Sequence, residues 1–287
     1  MRVFLTGATG YVGGAIALAL RERGHDVAAL VRPESETKHL LDAGIVIVAG
    51  DLASLPSLSD AISGHDAYIH AAQSRTDTAD LDRVTLDIFA AQNGFIVYTS
   101  GVWVLGNTRG ADESTARNPI DIVKWRGAVE EQALATGRGA VVRPGCVYGG
   151  KQSLLADWFA AADQNRPLRV AGDGENRWAL VDRHDMADCF VRLAEERATG
   201  IFHAVDDTHA TMNECARAVA PDGSIEHLPA DAVRSTFGDA FGDALLIDQR
   251  VSSSATRERL GWSPKRDFVS SVGEQWREWR SALQKSE

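Results

Sequence analysis

Glycines at positions 7, 10 and 13 stand in the stretch Thr6-Gly7-Ala8-Thr9-Gly10-Tyr11-Val12-Gly13-Gly14, between the apolar run Val3-Phe4-Leu5 and the segment Ala15-Ile16-Ala17-Leu18-Ala19-Leu20. A strand, a tight turn and a helix in that order make a place for a dinucleotide. The glycines let the backbone turn sharply, let a pyrophosphate approach without meeting a Cβ, and let the helix pack closely on the first strand. The phosphates then rest on the helix N-terminus, whose free N–H groups and dipole favour anions. The spacing is G-x-x-G-x-x-G and no Lys-Ser/Thr pair follows, which argues against a triphosphate-binding P-loop. The alternative is a merely structural turn.

A second candidate is Arg32, which ends the apolar run Val27 to Val31. The residue there normally faces the adenosine ribose: an acidic side chain accepts the 2′-hydroxyl of NAD, whereas an arginine attracts a 2′-phosphate. NADP is therefore the expected cofactor, with NAD the lesser alternative and a solvated surface arginine the bland one. Thr99 and Ser100 end another apolar run, Phe95 to Tyr98, and are candidate hydrogen-bond donors to a substrate carbonyl. No G-x-S-x-G elbow surrounds Ser100 and no base is identifiable for it, so nucleophilic Ser-His-Asp chemistry is not expected. The histidines lack metal-ligand spacing, and no metal site is expected.

These residues need a scaffold that brings strand ends together. Short apolar strands at Val3–Leu5, Val27–Val31, Ile45–Val48, Ala67–His70, Phe95–Tyr98 and Ala140–Arg143 alternate with helical stretches. Such alternation predicts parallel βαβ units and an α/β, Rossmann-type doubly wound sheet. Ligands bind at the carboxyl ends of such strands, so Arg32, Asp51, Ala71 and Ala72 should rim one crevice. Residues 1–150 read as the dinucleotide-binding domain. Residues 151–287 read as a smaller mixed α/β substrate-binding region, with some segments returning to the sheet. Between them, 107–119 is too polar for core and 119–136 reads as one helix. Later helices are expected near 153–164, 184–197, 209–219 and 269–284, and strands at 177–181, 201–205 and 224–228.

The chain is 44% hydrophobic and 24% charged, without low-complexity tracts, as expected of a folded protein. A net charge of −10 argues against a nucleic-acid partner, which would require a basic stripe. Cys146, Cys189 and Cys215 are odd in number and widely spaced, which suits reduced thiols. With no signal segment and no apolar run of membrane-spanning length, a cytoplasmic protein with a small-molecule substrate is expected.

Taken together, the glycine stretch, Gly50-Asp51-Leu52, His70-Ala71-Ala72, Tyr98-Thr99-Ser100-Gly101, Arg143-Pro144-Gly145-Cys146-Val147-Tyr148-Gly149, Val181-Asp182-Arg183-His184-Asp185-Met186-Ala187 and Leu260-Gly261-Trp262-Ser263-Pro264 resemble the extended short-chain dehydrogenases/reductases, the NAD-dependent epimerase/dehydratase family. The resemblance implies that Gly7, Thr9, Gly10, Tyr11 and Val12 hold the pyrophosphate, with Gly13 letting the helix pack. It assigns Arg32 to the ribose phosphate, Asp51 and Leu52 to adenine, Ala71, Ala72 and Gln73 to the nicotinamide side, and Pro144 and Val147 to the nicotinamide itself. It implies a homodimer through the helices beside the central strands. Arg177 matches a position that binds a substrate phosphate in sugar-nucleotide members, although Trp178 departs from that subgroup. Trp103 and Trp178, with Trp158 and Phe241, are candidate substrate-pocket residues.

The family's Tyr-x-x-x-Lys is missing. Pairing the lysine position with Lys124, Arg126 or Gly127 puts Ile120, Ile122 or Val123 at the tyrosine. This is an atypical member, in which Ser100 or Thr99 would donate to a carbonyl and Arg126 would supply the lysine's charge. A structural alternative has Arg126 pairing with Glu130 on its own helix. The leading expectation is an NADP(H)-dependent oxidoreductase reducing a carbonyl or activated double bond of a small, largely apolar metabolite. A sugar-nucleotide epimerase or dehydratase with tightly held NAD is the second reading. A non-catalytic NADP-binding sensor is the third.

Overall fold

The computed structural model describes residues 1–74, 78–206 and 208–284. Seven strands form the main sheet: β1 (Arg2–Thr6), β2 (Asp26–Val31), β3 (Val46–Ala49), β4 (Ala67–His70), β5 (Phe95–Thr99), β6 (Gly139–Pro144) and β7 (Gly200–Ala204). Every neighbouring pair is parallel, in the order β3-β2-β1-β4-β5-β6-β7. The doubly wound architecture follows from the composition of the strands. Val3, Phe4, Leu5, Ile69, Ile96 and Val97 are fully buried, and a strand that is apolar on both faces must be covered on both.

Helices α1 (Tyr11–Glu22), α2 (Thr78–Ala90), α3 (Arg126–Ala135) and α4 (Arg183–Glu196) supply the cover. Ile16, Ala17 and Leu20 of α1 pack with Met186, Phe190 and Leu193 of α4 on one face. Leu86 and Phe89 of α2 pack with Val129 and Ala133 of α3 on the other. The strand order reverses between β1 and β4, so the turns after these two strands diverge and leave a crevice. Gly7 and Ala71 meet there.

Three small parallel pairs roof this edge: Cys146–Tyr148 with Leu180–Asp182, Leu168–Ala171 with Ile225–Leu228, and Thr108–Ala111 with Gln249–Val251. The last corrects the polar loop expected at 107–119, because Ala111 is buried in a pairing that only the folded chain brings together. The helix expected over 119–136 starts at Arg126, after a 3-10 turn at Asp121–Val123. Val123 and Trp125 belong to different apolar clusters, and a wound turn reaches both. The strand expected at 177–181 is confined to Leu180–Asp182. Ahead of it, the Arg177 amide donates to Asp248 and the Trp178 indole donates to the Leu245 carbonyl, holding that segment to another loop. Helices at Ala230–Phe237, Asp239–Leu245 and Ser254–Leu260 were not anticipated.

The glycine stretch is built for contact. A Cβ on Gly13 would lie 2.2 Å from the Gly7 carbonyl oxygen, a backbone atom with nowhere to go. Gly13→Ala should therefore cost at least the ~1–3 kcal/mol typical of overpacking, whereas Gly273→Ala, in an open position of the helix Phe268–Gln284, should gain about 0.5–1 kcal/mol. Urea unfolding of the two variants checks the contrast, and equal stabilities would refute it.

Candidate active site

Gly10 stands at the N-cap of α1, where no side chain caps the helix and no acidic residue occupies the first turn. The backbone N–H groups of that turn are thus presented to an anion. Gly7, at φ +87°, would put a Cβ 2.5 Å from the Ala71 carbonyl oxygen, so the turns after β1 and β4 touch. This cradle fits the pyrophosphate of a dinucleotide. Tyr11 reaches over it, its hydroxyl donating to the Gly149 carbonyl at 2.7 Å. Arg32 ends β2 in solvent, with Nε 3.5 Å from Glu34. Asp51 is exposed and accepts from the Ser54 amide, which holds its carboxyl below the ordinary value, while Leu52 is buried beneath it.

Beside the cradle lies a cavity of about 500 Å³. It brings together Tyr11 and Val12, assigned in the sequence to the pyrophosphate, with Ala71, Ala72, Gln73, Pro144 and Val147, assigned to the nicotinamide side, Thr99, Ser100 and Arg126, assigned to catalysis, and Trp103, a candidate substrate residue. Ile122 lines it as well, whereas Lys124 is exposed and pairs with Asp121, and Gly127 packs by Arg117. Of the three registers for the missing motif, the cavity holds the one with Arg126 at the lysine and Ile122 at the tyrosine. Burial pushes the Cys146 thiol in the same wall up to about 12, so it is not a thiolate.

Ser100 is committed elsewhere than the sequence suggested. Its hydroxyl donates to Glu130 Oε1 at 2.5 Å, and that carboxylate accepts from Arg143 Nε at 2.9 Å and Arg143 Nη2 at 2.7 Å, and from Arg117 at 3.2 Å. Glu130 is 0% and Arg143 1% exposed. Burial alone would push the Glu130 carboxyl up, but the Arg143 guanidinium together with Ser100 and Arg117 holds it below the ordinary value. An ionised carboxylate only accepts, so the Ser100 proton expected to polarise a carbonyl is engaged by Glu130.

Arg126 does not pair with Glu130. Its Nη1 donates to the Thr99 carbonyl at 2.8 Å and to the Tyr98 hydroxyl at 3.3 Å, and its Nη2 donates to Gln73 at 3.2 Å. The guanidinium also stacks 4.5 Å from the Trp125 ring. Behind it runs a buried polar chain. Tyr98 donates to Asp82 Oδ2 at 3.1 Å, Asp82 Oδ1 lies 3.0 Å from His70 Nε2, and His70 Nδ1 lies 2.6 Å from Thr6 Oγ1. Burial pushes the Tyr98 phenol up, so it keeps its proton. This row of buried side chains has Thr6, at the head of the glycine stretch, at one end and the cation in the cavity at the other.

Two expected substrate residues lie outside this cavity. Arg177 donates to the His209 and Glu175 carbonyls and stands 3.9 Å from Asp248. Trp178 is 5% exposed and lines the neighbouring cavity instead. Sequence reasoning missed the Glu130–Arg143 pair and the Tyr98–Asp82–His70 chain. The available signal was Arg143 inside the buried run Val141-Val142, since an arginine there requires a carboxylate partner.

A model described as the NAD-dependent epimerase/dehydratase family matches residues 3–204. The chain belongs to that family. Its members include NAD(P)-dependent oxidoreductases, epimerases and dehydratases. A Schizosaccharomyces pombe protein described as uncharacterized is 28% identical over 281 residues, covering 92% of this chain and 95% of that protein. The 3-diazoavenalumate denitrifying reductase of a Streptomyces species is 28% identical over 301 residues, covering 92% and 96%. The crystal structure of a human epimerase family protein with NADPH shares the fold, with a TM-score of 0.79 at 18% identity over 96% of this chain and 99% of that one. No helix among the described residues is long and apolar enough to cross a membrane.

Replacing Glu130 by Gln leaves Arg143 buried without its counter-charge and should destabilise the protein by about 3–5 kcal/mol near neutral pH. Because the folded state holds the Glu130 carboxyl below its ordinary value, the wild-type advantage is complete above that ordinary value and is lost as pH falls through the depressed one. Unfolding curves of wild type and Glu130→Gln should converge in acid, and a gap independent of pH would show that Glu130 is not the charged partner.

Proposed function

We propose that this chain is an NADP(H)-dependent reductase acting on an electrophilic, largely apolar small molecule. The observation that carries the reading is the cavity itself, where the nicotinamide-side residues, an arginine in the lysine register and an apolar remainder share one space, with Ile122 where a tyrosine acid would stand. A reduced nicotinamide bound there supplies two electrons and a hydrogen to an electrophilic carbon.

The protein's own residues do the positioning. The glycine turn and the open N-terminus of α1 hold the pyrophosphate. Arg126 has five donors, three of them used by Thr99, Tyr98 and Gln73, and its remaining N–H groups suit the hydroxyls of the nicotinamide ribose. Ile122, Trp103, Pro144 and Val147 exclude water from the reacting carbon. Ile122 has no proton to give, the Ser100 hydroxyl is held by Glu130, the Tyr11 phenol donates to the Gly149 carbonyl, and the arginine pKa is too high for an acid. The Thr99 hydroxyl, left without a hydrogen-bond partner among the described residues, can donate a hydrogen bond but is an aliphatic alcohol and no stronger an acid than water. This supports an acceptor that needs no side-chain acid, an activated double bond or a conjugated carbonyl, protonated by water. The nucleotide-sugar reading loses its main support with Arg177 tied to backbone carbonyls.

NADP rather than NAD is supported by Arg32 at the end of β2. Its contact with Glu34 is exposed on both sides, and such pairs contribute little. A charge-assisted bond to phosphate contributes about 1.5–3 kcal/mol, so calorimetry should show NADPH binding about 10- to 150-fold tighter than NADH. Arg32→Asp should reverse the order, and equal wild-type affinities would sink the assignment.

The two polar residues of the cavity should separate in single-turnover kinetics with NADPH. Arg126→Ala should weaken NADPH binding by a similar ~10- to 150-fold and spare kcat at saturating cofactor. Ser100→Ala should change kcat by less than about tenfold, ~1.4 kcal/mol. A loss of about 10²–10³ in kcat for Ser100→Ala, in protein that remains folded, would place Ser100 on the substrate instead. Cofactor-induced stabilisation without oxidation of NADPH by any acceptor would identify a sensor.

A further inference from the structure

A second cavity, of about 610 Å³, adjoins the first. Leu154 and Phe241 line both, so the two spaces meet at these side chains. An aromatic row marks the route. Trp103, in the wall of the first cavity, meets Phe241 edge-on at 6.2 Å, and Phe241 meets Phe237 edge-on at 6.3 Å. Phe237 is 47% and Leu154 45% exposed, so carbon surface continues from the reacting centre to the rim of the second chamber.

Carbon makes up much of the chamber's wall, through Leu155, Trp158, Trp178, Met212 and Phe237, while Asp157, Arg166 and Arg169 bring charge to its exposed side. Of its two indoles, Trp158 donates to the Arg169 carbonyl at 2.7 Å and Trp178 to the Leu245 carbonyl at 3.2 Å, leaving their rings for contact. Thr236 donates to the Ala232 carbonyl. None of the buried, unpartnered side-chain atoms among the described residues belongs to this lining. On the exposed side Arg169 pairs with Glu226 and Arg166 donates to Gln164, so the enclosed part of the chamber, at Leu155, Trp158 and Trp178, offers a ligand chiefly ring and chain carbon. Either cavity alone is in the size range of a drug-sized ligand's pocket, roughly 300–1,000 Å³, so a small metabolite would leave the second one unused.

We infer that the substrate is bipartite: an electrophilic head in the cavity of Ser100 and Arg126, and an unbranched or flat apolar tail that passes Phe241 into the chamber walled by Trp158 and Trp178. This rests on the reductase reading and adds to it the shape and chemistry of the substrate.

The test is NADPH oxidation by the full chain with 3-alken-2-ones of lengthening unbranched tail. Each methylene that enters the chamber should raise kcat/KM about fourfold, from ~0.8 kcal/mol per buried methylene, until the chamber is full and the series levels off. Ala160→Trp, a half-buried position on the chamber wall, should abolish that slope, and Phe237→Glu at the exposed rim should reduce it. In parallel, fluorescence titration with N-phenyl-1-naphthylamine reads the chamber without turnover. The probe should bind wild type and be lost from a folded Ala160→Trp. Turnover with no dependence on tail length, or a slope that Ala160→Trp leaves intact, overturns the bipartite substrate. No turnover with any acceptor overturns the reductase reading beneath it, and the probe then decides separately whether the chamber takes an apolar ligand.

Discussion

A carboxylate taken out of water fixes the geometry around the cavity. Glu130 lies among apolar side chains on α3, facing β5 and β6, where an isolated charge is prohibitive and Arg143, held on two nitrogens, with Arg117 and Ser100 beside it, makes it tolerable. Because that pair must form, the rotation of α3 is not free. Residues four apart share a helix face, so drawing Glu130 onto Arg143 sets Arg126 one turn nearer the strand ends. There its guanidinium meets the Thr99 carbonyl. The same carboxylate accepts from the Ser100 hydroxyl and so holds the end of β5. One ion pair thereby positions the cavity's cation on α3 and the hydroxyl that follows β5.

How much of this was legible depended on the range of the interaction. The glycine stretch, the first six strands and the crevice they rim are written in local periodicity and turn residues, and the structure shows them close to where the sequence places them. The pairing of charges is not local. Glu130 reads in sequence as one more solvated helix charge, and its nearest arginine, Arg126, is the natural but mistaken partner. The true one is on a strand whose burial on both faces appears only once α3 and the roof are in place. The same holds for Arg177, which looks available until residues 209 and 248 fold against it, and for Thr108–Ala111, a polar segment made into a strand by a partner well over a hundred residues later.

The departure at Ile122 changes what the site asks of its reactants. Where a tyrosine would sit, the chain places a branched hydrocarbon against the cavity; the phenol of Tyr11, in the cavity wall, donates to the Gly149 carbonyl, and that of Tyr98 is buried behind the sheet edge with its hydroxyl between Arg126 and Asp82. Ser100, Arg126 and Tyr11 are engaged with groups of the protein, and among the described residues of the cavity the Thr99 hydroxyl and the Trp103 indole N–H are left without a hydrogen-bond partner. Charge in this site therefore serves to fix shape, and reactivity has to come from the molecules that bind.

The return of Gly200–Ala204 to the main sheet has a consequence for how this chain can be divided. β7 covers the outer edge of β6, giving it a full ladder from Ala140 to Pro144. Everything between residues 145 and 199 is therefore an excursion that leaves the sheet and comes back. A chain ended at the close of the glycine-rich turn Gly149-Gly150 would expose β6 as a bare apolar edge with its row of unpaired amides and carbonyls, a template for pairing with other copies. The two halves are spliced, not joined in series, and the boundary that function suggests is not one at which the molecule can be cut.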